Sequence, residues 1–112
     1  MNSDPWPWPD SLDAVIAAPE HHRLILENER VRVLDTRIPA GDVVPVHTHR
    51  RPAVYYTIQA SDFIRRDQDG NVTFDSRKAP PRGTANFFEF LPPHSVENVG
   101  EVEIHLISVE LK

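Results

Sequence analysis

The chain has 112 residues, of which 39% are hydrophobic and 26% charged, and its formal net charge is −5. This size and composition predict one globular domain with one core, and the acidic charge argues against a nucleic-acid or anionic-membrane partner, because no face of the chain is obviously basic. Cysteine is absent, which excludes disulfides and thiolate metal sites, so a metal ion could be bound only through His, Asp or Glu.

The first nine residues contain three prolines and two tryptophans. Prolines favour extended backbone, and Trp6 and Trp8 are too apolar for a free tail. We expect this arm to lie across the body of the same chain or of a neighbouring subunit, with a disordered end as the alternative. The start of the chain lacks the pattern of a signal peptide, and no apolar run approaches the ~20 residues of a membrane-spanning helix. We therefore expect a cytoplasmic protein with no membrane partner.

A short helix is predicted to follow the arm, over residues 12–18. Asp10 or Ser11 can cap it, and Pro19 ends it. A helix of this length is not stable alone in water, so it must dock on the rest of the domain.

From His21 onward the hydrophobic period changes to that of strands. The Asp69-Gly70 pair predicts a hairpin turn, Pro92-Pro93 predicts another turn, and residues 76–84 form a loop rich in proline, glycine and charge. The predicted strands span 23–26, 31–38, 44–49, 53–60, 63–66, 72–75, 86–91, 95–99 and 102–111. Many short strands at this spacing are typical of an all-β sandwich or barrel. We assign residues 1–20 to the arm and short helix, and residues 21–112 to the β domain.

Two histidines lie two residues apart on a predicted strand, at His47 and His49. Residues i and i+2 of a strand point to the same face, with Cα atoms roughly 6–7 Å apart, so two imidazoles placed this way can converge on one metal ion. His94 is a third candidate ligand from a distant segment. The alternative is a chance His-x-His pair that binds nothing.

The other histidines receive structural interpretations. His21 and His22 follow a predicted helix end, where cationic and polar groups are stabilising. His105 lies in the middle of the last predicted strand, on the same face as Ile107 and Val109. It could form a hydrogen bond to a neighbouring residue or to a residue that binds a metal. Direct metal binding by His105 is the less favoured interpretation.

Two motifs in the chain resemble those of the cupin family. Gly41, five residues and His47-Thr48-His49 match the opening of the first cupin motif. Pro92, His94 and, after three further residues, Asn98 match the end of the second. The resemblance covers about residues 22–112 and implies a double-sheet jelly roll, the double-stranded β-helix barrel.

The sequence departs from the cupin pattern at three places. The glutamate of the first motif should fall at 53 or 54, which are Ala53 and Val54, and its closing glycine should fall near Ala60. The glycine that usually separates the proline and histidine of the second motif is absent. The set of three histidines and one glutamate is thereby reduced to His47, His49 and His94.

The resemblance implies that these three histidines hold a divalent transition metal such as Fe, Zn, Mn or Ni. Some dioxygenases of similar fold use three histidines without the glutamate. Losing the carboxylate leaves more positive charge on the metal, which favours anionic ligands. Glu89 could replace the missing glutamate. The residues expected to line the pocket are Tyr55, Gln59, Glu89, Phe90 and His105.

These observations support two classes of function. The first is a small metal-dependent cupin that binds or acts on a small polar or anionic molecule, as a dioxygenase, an isomerase or a lyase. The second is a ligand-binding or structural dimeric cupin that does no chemistry and has lost tight metal binding. The sequence identifies no general base with an orienting partner, so it leaves open whether the protein is an enzyme. The resemblance and the many edge strands imply a homodimer.

Overall fold

The computed structural model describes residues 6–112, and in this part of the chain nine strands form two antiparallel sheets. The strands are β1 (His22–Glu27), β2 (Val31–Ile38), β3 (Val43–His49), β4 (Ala53–Gln59), β5 (Phe63–Asp67), β6 (Val72–Asp75), β7 (Ala85–Phe88), β8 (Leu91–Asn98) and β9 (Ile104–Leu111). One sheet has the order β1-β2-β9-β4-β7, and the other has the order β3-β8-β5-β6. The predicted all-β jelly roll is confirmed. None of the helices in this described part has the length and apolar character needed to cross a membrane.

The hydrophobic core joins the two sheets and the N-terminal helix at one end of the barrel. Ile38 and Ile104 come from the five-stranded sheet and Val44 from the four-stranded sheet, and Ala18 follows the helix. Each of these side chains is at most 5% exposed. The interior beyond this cluster is mixed, since histidines and threonines share the inward positions with aromatic and aliphatic side chains.

The N-terminal helix is shorter than predicted and is broken at Asp13. A 3-10 turn covers Asp10–Leu12, and helix α1 covers Ala14–Ala17. The Asp13 carboxylate caps α1 by accepting from Val15 N at 3.3 Å, so the cap is neither Asp10 nor Ser11. The same carboxylate accepts two hydrogen bonds from the Arg32 guanidinium, at 2.8 and 2.9 Å. Asp13 has a non-helical backbone, with φ −53° and ψ 140°. It pairs with Thr48 in an isolated bridge, and this interrupts the helix.

The described part of the N-terminal arm lies on the body of the same chain, as predicted. The Trp6 ring contacts Trp8 with centroids 4.7 Å apart and Phe90 with centroids 5.8 Å apart. The Arg50 guanidinium lies 5.9 Å from the centroid of the Trp6 ring. Pro5, the first of the three prolines, lies outside the described residues.

The prediction of a turn at Pro92-Pro93 is wrong, because both prolines lie inside β8. The chain turns earlier, at Glu89 and Phe90. β8 pairs with β5 only from His94 onward, and its register with β3 is irregular between Leu91 and His94. The two prolines therefore occupy a stretch where missing N–H groups break no regular ladder.

Candidate metal centre

Three buried histidines bring ring nitrogens within 4.8 Å of one another: His22, His47 and His49. His47 and His49 lie two residues apart on β3 with ring centroids 5.0 Å apart, as their spacing predicts. His22 is the first residue of β1, in the other sheet. The three rings thus connect the two sheets across the interior of the barrel.

His94 lies beside this trio. It is directly opposite His47 in the pairing of β3 with β8, and its ring centroid is 4.3 Å from that of His47 and 5.7 Å from that of His49. The structure therefore brings the three sequence-predicted histidines to one place and adds His22 to them. We refer to His22, His47, His49 and His94 together as the histidine cluster.

His22 was missed by sequence reasoning because a β-bulge decides which way it faces. The pairing of β1 with β2 starts next to the turn, where Glu27 is opposite Arg32. Between Leu26 and Leu24 the register shifts by one residue. This shift places His22 opposite Thr36, and both residues line the interior cavity. Without the bulge, His22 would pair with Arg37 and face outward, since a one-residue slip moves every side chain to the other face. A predicted pairing of β1 with β2 would have found His22 only if it had included this bulge.

In each ring of the histidine cluster, Nδ1 lies against an acceptor. These acceptors are Ala18 O for His22 at 3.0 Å, Pro45 O for His47 at 2.7 Å, Pro92 O for His94 at 2.7 Å, and Glu110 Oε2 for His49 at 3.5 Å. A carbonyl oxygen only accepts, so Nδ1 of the three carbonyl-bonded rings carries the proton and donates. In a neutral imidazole of this tautomer Nε2 keeps its lone pair, which is the form that binds a metal ion.

Burial keeps His22, His47 and His94 neutral. Burial, together with the neighbouring His49, lowers the pKa of His22 to about 4 and that of His94 to about 3. Burial and the ring of His94 likewise hold the pKa of His47 far below its ordinary value. These imidazoles are therefore unprotonated at neutral pH, and protons do not compete with a cation for them.

Glu110 lies behind His49 and is only 1% exposed. Burial opposes its ionisation, but hydrogen bonds from His49 and Arg32 outweigh that effect and lower the pKa of Glu110. Arg32 Nε donates to Glu110 Oε1 at 2.8 Å. Glu110 is thus a carboxylate that orients His49 from the side away from the other rings. Among the described residues the group with converging ligand atoms contains histidines only.

The histidine cluster lines a cavity of about 1110 Å³ between the two sheets. Of the five residues expected from the sequence to line a pocket, Tyr55 lines this cavity and the other four lie outside it. Gln59 is exposed, after a register shift between Thr57 and Gln59 in the pairing of β4 with β9. That shift ends the alternation that would have turned Gln59 inward.

The remaining three of these residues lie on the surface of the barrel. Glu89 and Phe90 are exposed in the turn before β8, where Phe90 packs against Trp6. His105 lies on the outer face of the five-stranded sheet, and its Nε2 donates to Asp35 Oδ1 at 3.0 Å. Glu89 therefore does not supply a carboxylate to the cavity in place of the missing motif glutamate.

Comparisons with known proteins identify the fold. No protein-family model matches the sequence, and no curated protein matches it at a significant level. A cupin domain from Bordetella pertussis Tohama I has a similar structure, with a TM-score of 0.66, 24% identity, and coverage of 81% of this chain and 91% of that one. An RmlC-like cupin from Methanocaldococcus jannaschii with a double-stranded β-helix fold gives a TM-score of 0.60 at 13% identity. The match covers 80% of this chain and 77% of that one. An RmlC-like cupin from Desulfovibrio desulfuricans gives a TM-score of 0.52 at 18% identity. The match covers 98% of this chain and 96% of that one.

These similarities show that the chain has the cupin double-stranded β-helix fold. Because the sequence identities are below 25%, these similarities establish the fold and do not assign an activity.

Proposed function

We propose that this chain binds one divalent transition-metal ion through His22, His47 and His49, with His94 as a fourth ligand, and binds a small anionic molecule beside the metal. The observation that carries the proposal is the orientation of the four buried rings. Each ring has an acceptor at Nδ1. No described residue forms a hydrogen bond with any of the four Nε2 atoms, and all four rings line one cavity.

The donor set fits a transition metal. Neutral imidazole suits Zn²⁺, Fe²⁺ and Ni²⁺, and acceptors that hold the second ring nitrogen are typical of histidine ligands in metal sites. The four rings come from β1, β3 and β8, so the set is held by paired strands rather than by loops. This rigidity keeps the ligands in place before the metal binds.

The charge of the site supports an anionic ligand. Four neutral imidazoles leave the full double positive charge on the metal, and a bound metal of this kind supplies Lewis acidity to a ligand or water molecule next to it. The described carboxylate closest to the rings, Glu110, lies behind His49 at its Nδ1 side. A small anion in the cavity would therefore supply the negative charge that the ligands lack.

Metal analysis of the protein, purified without a His tag and without chelators, tests the proposal. We expect close to one equivalent of Zn, Fe, Mn or Ni per chain, and loss of that metal in His47→Ala and His22→Ala. His105→Ala is the matched control, because His105 is also partly buried on a strand but lies outside the cavity.

Circular dichroism should show that each variant remains folded. Wild-type protein that binds no stoichiometric metal, even after incubation with each of these ions, would overturn the proposal. So would an equal loss of metal in His105→Ala.

A further inference from the structure

Arg65 is a cation on the inner face of β5, and residues 6–112 give it no acidic partner. It lines the same cavity as the histidine cluster, and no ion pair or side-chain hydrogen bond of Arg65 is found among the described residues. Its Nε is buried and has no hydrogen-bond partner in the described part of the chain. The neighbouring Arg66, on the outer face, is by contrast bonded to Glu97 at 2.8 Å. The inward arginine is thus the one left without an anion.

Aromatic rings surround the Arg65 guanidinium. Its central carbon lies 5.8 Å from the ring centroid of Phe63 and 5.7 Å from those of Phe74 and Phe88. Ring faces attract a cation and fix the plane of the guanidinium, but they accept no strong hydrogen bond from its N–H groups. The rings therefore hold the head group in position and leave its donors available to a ligand.

Two further groups of the cavity wall favour an anion at this place. Tyr55 Oη is buried, and none of the residues that the structure describes forms a hydrogen bond with it. Arg82 lies over the same two rings, with its central carbon 5.1 Å from the Phe74 centroid and 5.6 Å from the Phe88 centroid. Burial and the charge of Arg82 both lower the pKa of Arg65, although an arginine stays protonated in proteins. An anion between them would relieve the repulsion of the two guanidinium groups.

Arg65 also lies close to the histidine cluster. β5 pairs with β8 so that Arg65 is opposite Val96 and Asp67 is opposite His94. Arg65 and His94 are therefore diagonal neighbours on one face, where Cα atoms are about 7–8 Å apart. The charge of Arg65 contributes to lowering the pKa of His94.

We propose that Arg65, together with Tyr55, binds the carboxylate of a small organic acid whose second donor atom reaches the metal held by the histidine cluster. The planar fork of a guanidinium matches a carboxylate in two parallel hydrogen bonds, and the tyrosine hydroxyl can donate a third. The two parallel N–H groups of the buried guanidinium match the two coplanar oxygens of a carboxylate, and the neutral hydroxyl adds no charge. This inference relies on the proposed metal site only for the second contact of the ligand.

The test uses the full chain loaded with Co²⁺ and a panel of C2–C6 2-hydroxycarboxylates, each compared with its matched carboxamide. Binding is followed by calorimetry and by the visible spectrum of the cobalt ion. We expect at least one acid of the panel to bind at least tenfold more tightly than its amide, and Arg65→Gln to remove that preference. Arg66→Gln is the matched control and should bind the acid as wild type does.

Three outcomes would overturn the inference. Wild type could show no preference for any acid over its amide, Arg65→Gln could bind the acid as tightly as wild type, or Arg66→Gln could lose the preference equally.

A structural role of Arg65 is tested separately by the unfolding midpoint of Arg65→Met in the absence of ligand. We expect that midpoint to equal or exceed that of wild type, since the substitution removes a buried donor without a partner. A large decrease of the midpoint would contradict the inference.

Failure of the metal site would give a different result. If the chain loads no cobalt, the same panel is titrated into the metal-free protein and followed by thermal shift. A preference for acid over amide that disappears in Arg65→Gln would then support the carboxylate site although the metal proposal had failed. Absence of any such preference would overturn the carboxylate site as well.

Discussion

Glu110 Oε2 lies 3.5 Å from Nδ1 of His49, while the other carboxylate oxygen of Glu110 accepts from Arg32 Nε at 2.8 Å. The guanidinium of Arg32 in turn donates twice to Asp13, the residue that caps helix α1. A continuous series of charged contacts therefore runs from the histidine cluster to the N-terminal helix. The position of His49 depends on residues of β2, β9 and the segment before β1.

Glu110→Gln should weaken metal binding while leaving the four rings in place. The substitution keeps the shape of the side chain but removes the negative charge behind His49, and changes of this kind typically cost about 10–100-fold in metal affinity. It also weakens a buried ion pair with Arg32, so we expect the free energy of unfolding to fall by roughly 3 kcal/mol. Competition with a chromogenic chelator measures the affinity, and urea denaturation measures the stability.

Glu103→Gln is the control for this substitution. Glu103 is also bonded to an arginine, Arg37, at 3.2 Å, but on the surface of the five-stranded sheet. Exposed pairs contribute about 0–1 kcal/mol, so this variant should match wild type in both measurements. Equal effects of the two substitutions would show that Glu110 does not act through His49.

The metal-free protein should lose stability as the pH falls below about 6.5. The pKa of His22 is about 4 and that of His94 about 3 in the folded chain, against 6.5 for an ordinary histidine. Between these values the unfolded chain binds more protons than the folded chain, so the stabilisation is complete above pH 6.5 and is lost on acidification. Each histidine contributes roughly 1.4 kcal/mol per pH unit in that window. Urea midpoints of the metal-free protein between pH 7 and pH 4.5 measure the slope.

The His94→Gln variant should show a smaller pH slope than wild type, because it retains only part of the buried set. His105→Gln keeps the whole histidine cluster and should keep the full slope. A flat midpoint from pH 7 to pH 4.5 in the wild type would mean that the buried rings are protonated as easily as in the unfolded chain.

The sequence predicted features that depend on near neighbours in the chain. His47 and His49 share a face because strand geometry alternates with period two. The Asp69-Gly70 signal gave the turn between β5 and β6, where Gly70 has a φ of +88°. Asn98, which matches the end of the second cupin motif, is buried, and its Nδ2 donates to Ile38 O at 2.9 Å and to Val102 O at 2.8 Å.

Features that depend on long-range pairing could not be predicted in this way. The inward position of His22 results from a bulge between two strands, and the helix is broken because Asp13 binds Arg32. The isolation of Arg65 is also a tertiary property, because its neighbour Arg66 has the same side chain and differs only in the face it occupies. A period-two pattern places both arginines on a strand, but only the fold shows which one faces the cavity.

Gly41→Ala should destabilise the protein by about 1 kcal/mol without changing its metal content. Gly41 has a φ of +81° in the turn before β3, and an added Cβ would meet nothing within 4 Å. The cost therefore comes from the left-handed backbone alone. Gly83→Ala is the control, since Gly83 is also in open space but without a positive φ, and there the substitution should be neutral or stabilise by up to about 1 kcal/mol. Denaturant midpoints that change equally in both variants would contradict this explanation.

We expect the outer face of the five-stranded sheet to be covered by a second copy of the chain. Val54 and Tyr56 point outward along β4, next to Phe87 of β7, and these three side chains are between 40% and 54% exposed. A continuous apolar surface of this kind marks an interaction site in a soluble protein, and an uncharged patch can pack on itself about a two-fold axis. Light scattering after size exclusion should give twice the chain mass of 12.8 kDa.

Substitutions on the two sheets distinguish this interface from general surface hydrophobicity. Val54→Lys combined with Tyr56→Lys should give a folded monomer, because charges buried face to face at a two-fold contact repel each other and lose hydration. Val72→Lys is the matched control, since Val72 is 57% exposed but lies on β6 of the other sheet. It should leave the dimer intact. A wild-type protein of monomeric mass at 100 μM, or a dimer that the double substitution leaves unchanged, would show that this face is not where two copies meet.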